Sequence, residues 1–403
     1  MVDNVTSFFK PRLIVIYLYI LFSFIAKPPI MPEIYVTYSL YLVIGYAMLI
    51  IVKDKTIYWN KFLTWSLSIM ALCFFSMIYA KNMSVTFDRI YYLFIPIALS
   101  FAITQLITSE KDIKNILIVL AIAGGILYIN MLKYGLFETT ERLGQEFAGN
   151  ANAFASMVLF STIAAMCTIY LSKNKILWIV MIAIIIANYH MLILSEGRKF
   201  LIAPLLFLFI LKFKSSGFKF NRLAIIGIVA IIAIPIIWNI LVNINVIPDT
   251  LVTRIEMTFA ILEGRSGYMG EGDLERQRMI TKGFEYFTMS PIWGNGHANF
   301  SYLFSLEDTG GHIGHFSHNN YIELLCNLGI IGFLVYYAFY YKTLKSTAKI
   351  HTKANNIVFT YIIVLMILEF GIVSYYLFYL LQILICIASL AIFDRKKIKI
   401  QKT

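Results

Sequence analysis

Residues 151–171 read ANAFASMVLFSTIAAMCTIYL and residues 176–194 read ILWIVMIAIIIANYHMLIL, with only Ser172-Lys173-Asn174-Lys175 between them. Each run has the length a helix needs to cross a bilayer, roughly 17–25 residues. Neither alternates polar and apolar positions as the strand of a membrane barrel does. Working outward, the same pattern recurs at 13–26, 34–52, 62–80, 90–108, 113–132, 200–211, 223–247, 321–341, 356–370 and 373–393. The run at 200–211 is short, and the last two merge across Glu369 and Gly371. Of the 403 residues 60% are hydrophobic and 14% charged. A soluble domain is typically about 45–50% apolar and about 25% charged, so a water-soluble globule is excluded. The expected fold is an all-α polytopic membrane protein of about 12 transmembrane helices, a bundle with one long outer-face loop carrying short helices.

Charge orients the bundle. Of the 34 Lys/Arg, 22 fall in segments on the side of the N-terminus and 7 in the short segments on the other side. The positive-inside rule then puts both termini in the cytoplasm, and the net charge of +12 is an orientation signal with no bearing on nucleic acid. Lys10 and Arg12 precede the first apolar run, but Lys27-Pro28-Pro29 follows it where a signal peptide would carry small residues, so 13–26 reads as a first span. Cys73, Cys167, Cys326 and Cys386 all lie in apolar runs without close spacing, which suits buried thiols and no metal or disulfide framework.

The chain divides into 1–247 (spans one to nine), 248–317 (a long periplasmic or extracellular loop) and 318–403 (spans ten to twelve and a cytoplasmic tail). A loop that long in a compact protein is usually functional or disordered, and this one has the marks of order. Thr253-Arg254-Ile255-Glu256 is a capping-box pattern opening a helix that would end at Gly264. Asp273 starts a second, amphipathic stretch with Leu274, Ile280, Phe284 and Phe287 near helical spacing, stopping before Pro291. Gly294-Asn295-Gly296 and Gly310-Gly311-His312 read as turns. Two outer helices against the bundle mouth are expected.

Four clusters face the outside. Arg142-Leu143-Gly144-Gln145 with Gly149-Asn150-Ala151-Asn152-Ala153-Phe154 leads into the sixth span, and Ser195-Glu196-Gly197-Arg198 ends the seventh. Arg276 is followed by Pro291-Ile292-Trp293-Gly294-Asn295-Gly296, and His318-Asn319-Asn320-Tyr321-Ile322-Glu323 by Gly329-Ile330-Ile331-Gly332. Each has a plainer reading. Arg198 taken alone snorkels to the interface. Asn320 and Glu323 are a helix N-cap and its third residue. Gly329 and Gly332 let helices pack closely. Arg278 lies roughly opposite Arg276 on a helix of 3.6 residues per turn, so only Arg276 points inward. His312, His315 and His318 recur every third residue, yet Gly310, Gly311 and Gly314 make that segment a turn without the geometry and supporting shell of a zinc site.

Taken in order, these motifs resemble the O-antigen ligase and polymerase superfamily: Arg-Leu-Gly with Asn and Ala-Phe-Ala, then Leu-Ser-x-Gly-Arg, then Arg followed by Pro and Gly-x-Gly, then His-Asn-Asn-Tyr-x-Glu with Gly-x-x-Gly. The resemblance covers about residues 140–335. It implies a GT-C-type bundle and a glycosyltransferase whose donor is a glycan on undecaprenyl diphosphate, with no metal or other cofactor. By position it assigns His318 as the catalytic residue and Arg198, Arg276 and Arg265 to the diphosphate. Asn319, Tyr321, Glu323 and Arg142 are the substrate-positioning set. Glu196-Gly197 departs from the small or hydroxyl residues commoner before the Arg198 position.

The chemistry is self-consistent. A sugar diphosphate has a good leaving group, so the site must mainly neutralise departing charge, which Arg does through paired contacts to phosphate oxygens. The attacking hydroxyl loses a proton, and His titrates in the right range. The helix after His318 adds its N-terminal dipole. The partners implied are the lipid-linked oligosaccharide as both donor and acceptor, membrane lipid and a chain-length regulator protein, with no nucleic acid. A polymerase of lipid-linked repeats, making O-antigen or capsular polysaccharide, is the first reading. A ligase passing polymer to lipid A-core is the second. A lipid-linked sugar transporter is the non-enzyme alternative; it would place its ionisable residues near the midplane, where Glu369 is the main candidate.

Overall fold

The structure is a computed structural model that describes residues 8–138, 142–216, 248–262, 271–307, 316–375 and 396–399. The span expected at 223–247, most of that at 373–393, Arg265, His312, His315 and the Gly310-Gly311 turn lie outside the described residues. In chain order the elements are α1 (Pro11–Ile25), α2 (Ile34–Asp54), β1 (Thr56–Trp59), α3 (Lys61–Ser76), α4 (Met83–Leu106), α5 (Glu110–Lys133) and the single turn α6 (Gln145–Ala148). There follow α7 (Ala151–Leu171), α8 (Lys175–Leu194), α9 (Arg198–Ser216), α10 (Asp249–Leu262), α11 (Glu271–Met289), α12 (Asn299–Glu307), α13 (Asn320–Ala348), α14 (Lys353–Leu368) and β2 (Lys396–Lys399). Among the described residues α2, α4, α5, α7, α8 and α13 are long and apolar enough to cross a bilayer, and α1, α3 and α14 are shorter apolar helices. The chain is thus an all-α membrane protein, with one antiparallel ribbon of β1 and β2 that sequence reading did not anticipate.

The helices begin where short polar side chains can cap them. Asn60, Asn82, Asn150, Asn174 and Asn319 each accept backbone N–H groups at the start of α3, α4, α7, α8 and α13. Ser109 and Asp112 form a reciprocal capping box on α5. These caps satisfy backbone donors that a helix start leaves without an intrahelical partner. α7 is buried over most of its length between α5, α8 and α9, while α2 turns most of its surface outward. α5 and α7 approach closely because α5 carries Gly124, where a Cβ would stand 2.1 Å from Ser161 Oγ. Ser161 Oγ donates to Ala121 O at 3.0 Å and accepts from Asn188 Nδ2 at 2.9 Å, so polar groups bind three helices where water is absent.

α13 is not the single span expected at 321–341. Gly329 has φ 62° and ψ −166° inside it. The rings of Tyr321 and Tyr337 stack 5.0 Å apart, whereas 16 residues of straight helix would separate them by about 24 Å. The two arms, 320–328 and 330–348, therefore fold back on each other, and the second arm, about 28 Å long, is the length that spans. The loop after α11 fills the break. Ile330 N donates to Pro291 O (2.9 Å), and Asn295 N and Gly296 N donate to Cys326 O and Asn327 O (2.9 and 3.0 Å). A Cβ on Gly329 would lie 2.3 Å from Ile292 O. Gly329 thus serves a backbone reversal, and its place in the sequence reading as a packing glycine is corrected.

Three further expectations are corrected. The helix read from Thr253 begins at Asp249, because Pro248 O already accepts from Leu251 N and Val252 N; Thr253 Oγ1 merely back-bonds to Asp249 O at 2.9 Å. The second helix begins at Glu271, not Asp273, and a third, α12, covers part of α11. The cap of α13 is Asn319, whose φ of −142° is extended. Asn320 is helical, and Glu323 bonds elsewhere, as described next.

Candidate active site

The tight reversal between α8 and α9 carries the first half of the site. Ser195 ends α8, Glu196 adopts the left-handed φ of 54°, and α9 starts at Arg198. Arg142 lies across this turn and donates through Nε and Nη2 to Ser195 O at 3.0 and 2.7 Å. It thereby neutralises the carbonyl end of α8, where a cation is favoured. Arg198 reaches the other way: Nη1 donates to Arg254 O at 2.8 Å, and Nη2 meets Asp273 Oδ1 and Oδ2 at 3.1 and 3.0 Å. Arg276 Nη1 shares Asp273 Oδ1 at 3.3 Å. Arg278 projects away, its guanidinium 5.3 Å from the ring centre of Phe304.

Five cations gather here, since Arg254 Nη1 pairs with Glu196 Oε2 at 3.4 Å and Lys199 follows Arg198. Among the described residues, Arg142, Arg198, Lys199, Arg254 and Arg276 face two carboxylates, Glu196 and Asp273, a formal net of +3 for these seven side chains. Burial, and then the neighbouring charges of Arg254, Arg276 and Arg198, hold the Arg142 guanidinium below its ordinary value, with Glu196 opposing them. The arginine side chains remain a quarter to two fifths exposed, so an anion can reach them.

The second half is the turn before α13. His318 has φ 53°, and its ring lies edge-on to Phe316 with centroids 6.4 Å apart. Asn319 Oδ1 accepts from Tyr321 N and Ile322 N at 3.0 and 3.2 Å. Fully buried Glu323 accepts from Ser317 N at 2.7 Å and Asn327 Nδ2 at 3.1 Å, and Tyr321 Oη donates to Met366 O at 2.7 Å. These three side chains therefore bond to the turn and its neighbours. The stretch after α14 joins the halves: Glu369 O accepts from Asn320 N at 2.8 Å, and Gly371 O accepts from Lys199 Nζ.

The structure thus brings Arg142, Arg198 and Arg276 into one cluster, and links the turn of His318, Asn319, Tyr321 and Glu323 to it through the 369–371 stretch. Lys199, Arg254 and Asp273 are not expected in the site from the sequence, where Asp273 reads only as the start of a helix. Arg254 was hidden inside the pattern read as a capping box, and Lys199 carries no signal beyond adjacency to Arg198. Among the described residues no group of three or more His, Cys, Asp or Glu is placed to hold a metal.

No match is found among curated proteins. The family model described as O-antigen ligase matches residues 159–337, a stretch that holds Arg198, Lys199, Arg254, Arg276 and the whole His318 turn. Residues 159–337 are therefore similar to the O-antigen ligase family.

Proposed function

We propose that the chain is an inverting, metal-independent glycosyltransferase that polymerises undecaprenyl-diphosphate-linked oligosaccharide repeats at the outer leaflet of the bacterial inner membrane. The observation that carries this reading is a net-cationic arginine cluster linked through the 369–371 stretch to the turn of His318. The diphosphate of the donor lies against Arg198 and Arg276, whose planar forks suit its oxygens. The acceptor hydroxyl attacks C1 of the donor sugar while His318 takes its proton. The C1–oxygen bond breaks, and undecaprenyl diphosphate leaves with the electron pair, its charge met by the guanidinium groups. Both termini are cytoplasmic in this reading, a chain-length regulator is a natural partner, and Arg265 joins the diphosphate set.

The ligase reading is kept because the matching family model is described as O-antigen ligase. Purified components separate the two. Given only lipid-linked single repeats, a polymerase makes a ladder of lengths. No elongation from repeats alone, with transfer once lipid A-core is added, would decide for the ligase.

A further inference from the structure

Glu369 is fully buried and has no part in the mechanism above. Its carboxylate is solvated by hydroxyls: Oε1 accepts from Tyr340 Oη at 2.9 Å, Tyr336 Oη at 3.3 Å and Ser374 Oγ, and Oε2 from Tyr337 Oη at 3.0 Å. The three tyrosines stand on the second arm of α13, and Ser374 on the stretch after α14. That stretch in turn grips Asn320. Asn320 N donates to Glu369 O, its Nδ2 donates to Tyr337 Oη at 3.1 Å, and its Oδ1 accepts from Ser374 N and Tyr375 N at 3.0 Å each. The backbone N–H and both side-chain polar atoms of Asn320 are therefore fixed, two residues after the left-handed His318.

A buried carboxylate among apolar helices is costly and is retained where it does something. Here the cost is met by four donors that also lock the 369–375 stretch, which touches both halves of the site: Asn320 beside His318, and Lys199 beside Arg198 through Gly371 O. We propose that Glu369 is a positioning residue that fixes the backbone of His318 relative to the arginine cluster through Asn320 and the 369–375 stretch. Its catalytic consequence rests on the functional reading above; its structural consequence does not.

The test uses the full chain in detergent or proteoliposomes, with Glu369→Gln as the main variant and Tyr337→Phe as a milder one that keeps the carboxylate. Amide hydrogen exchange needs no substrate. In Glu369→Gln the amides of 317–321 should exchange at least tenfold faster, while those of 192–196 keep the wild-type rate. With undecaprenyl-diphosphate-linked repeats as substrate, kcat should fall at least tenfold with KM within about threefold, and Tyr337→Phe should lose less of both effects. Unchanged exchange at 317–321 overturns the proposal and leaves the transferase reading standing. Faster exchange throughout the loop end, or KM rising as much as kcat falls, also overturns it, since a merely structural role predicts that. If Glu369→Gln does not fold, Tyr337→Phe decides alone by the same exchange comparison. Wild-type chain that turns over no lipid-linked glycan refutes the functional reading while the exchange result stands.

Discussion

Replacing Gly329 by Ala should unmake the reversal in α13. At φ 62° and ψ −166° the backbone lies where only glycine is at ease, and a side chain there costs about 1–3 kcal/mol. The new Cβ would also stand 2.3 Å from Ile292 O and 2.7 Å from Gly294 N, both backbone atoms that cannot swing aside. Moving them strains the bonds from Ile330 N to Pro291 O and from Asn295 N to Cys326 O, each 2.9 Å. Losing one such buried bond costs about 1–3 kcal/mol. The sum, about 2–6 kcal/mol, is a large part of the roughly 5–15 kcal/mol that holds a typical protein folded. Thermal unfolding in micelles should show it, with Gly45→Ala as the control, since nothing lies within 4 Å of a Cβ there. The geometry can be read independently by cross-linking cysteines placed at Tyr321 and Tyr337. A short bifunctional reagent should join them in the otherwise native chain and fail if the helix runs straight. Wild-type melting in Gly329→Ala, or failure to cross-link in the otherwise native chain, would refute the reversal.

Arg198→Ala and Arg276→Ala should each cut turnover about tenfold to over a hundredfold, the equivalent of roughly 1.5–3 kcal/mol for a charged contact, with normal insertion; Lys replacements should rescue poorly, and near-normal polymer from Arg276→Ala would remove it from the site. Asp273→Asn frees both guanidinium groups from their present carboxylate and should tighten inorganic pyrophosphate binding about threefold to tenfold, a competition between anions for one fork that calorimetry measures. Burial holds His297 down to about 3, below the roughly 6.5 of an unfolded chain. Its folded value being the lower, it contributes stability fully above about pH 6.5 that is lost progressively as pH falls toward 3. His297→Gln should flatten that part of the unfolding profile, and an identical profile would show that the histidine does not titrate there. Chelators should leave turnover intact, and His318→Ala should be inactive while His312→Ala and His315→Ala work; an inactive, well-expressed His312→Ala would point to a metal instead.

What could be read in advance was what one-dimensional periodicity carries. Long apolar runs located the apolar helices among the described residues, and the 3.6-residue turn separated Arg276, which meets Asp273, from Arg278, which lies on Phe304. Readings that depend on distant partners went astray. Gly329-Ile330-Ile331-Gly332 looks the same whether it packs a helix or breaks one, and only the docking of Pro291 to Gly296 decides. Asn320 reads as the cap until Glu369 and Ser374 claim it and the cap falls to Asn319. Thr56-Ile57-Tyr58-Trp59 has a strand's composition, but its partner strand lies far along the chain.

That ribbon has a temporal side. Thr56 pairs with Lys399 and Trp59 with Lys396, so the second strand is synthesised 337 positions after the first is complete, as 396 less 59. At roughly 5–20 residues per second, β1 waits on the order of 20–70 s for its mate. Gln105, only 47 residues on, serves it sooner: its Oε1 accepts from Tyr58 N and its Nε2 donates to Tyr58 O, both at 2.8 Å. Gln105 thus holds one edge of β1 in place early and leaves the other open. A nascent chain halted short of Lys396 would carry an exposed strand edge of the kind that invites pairing with other molecules.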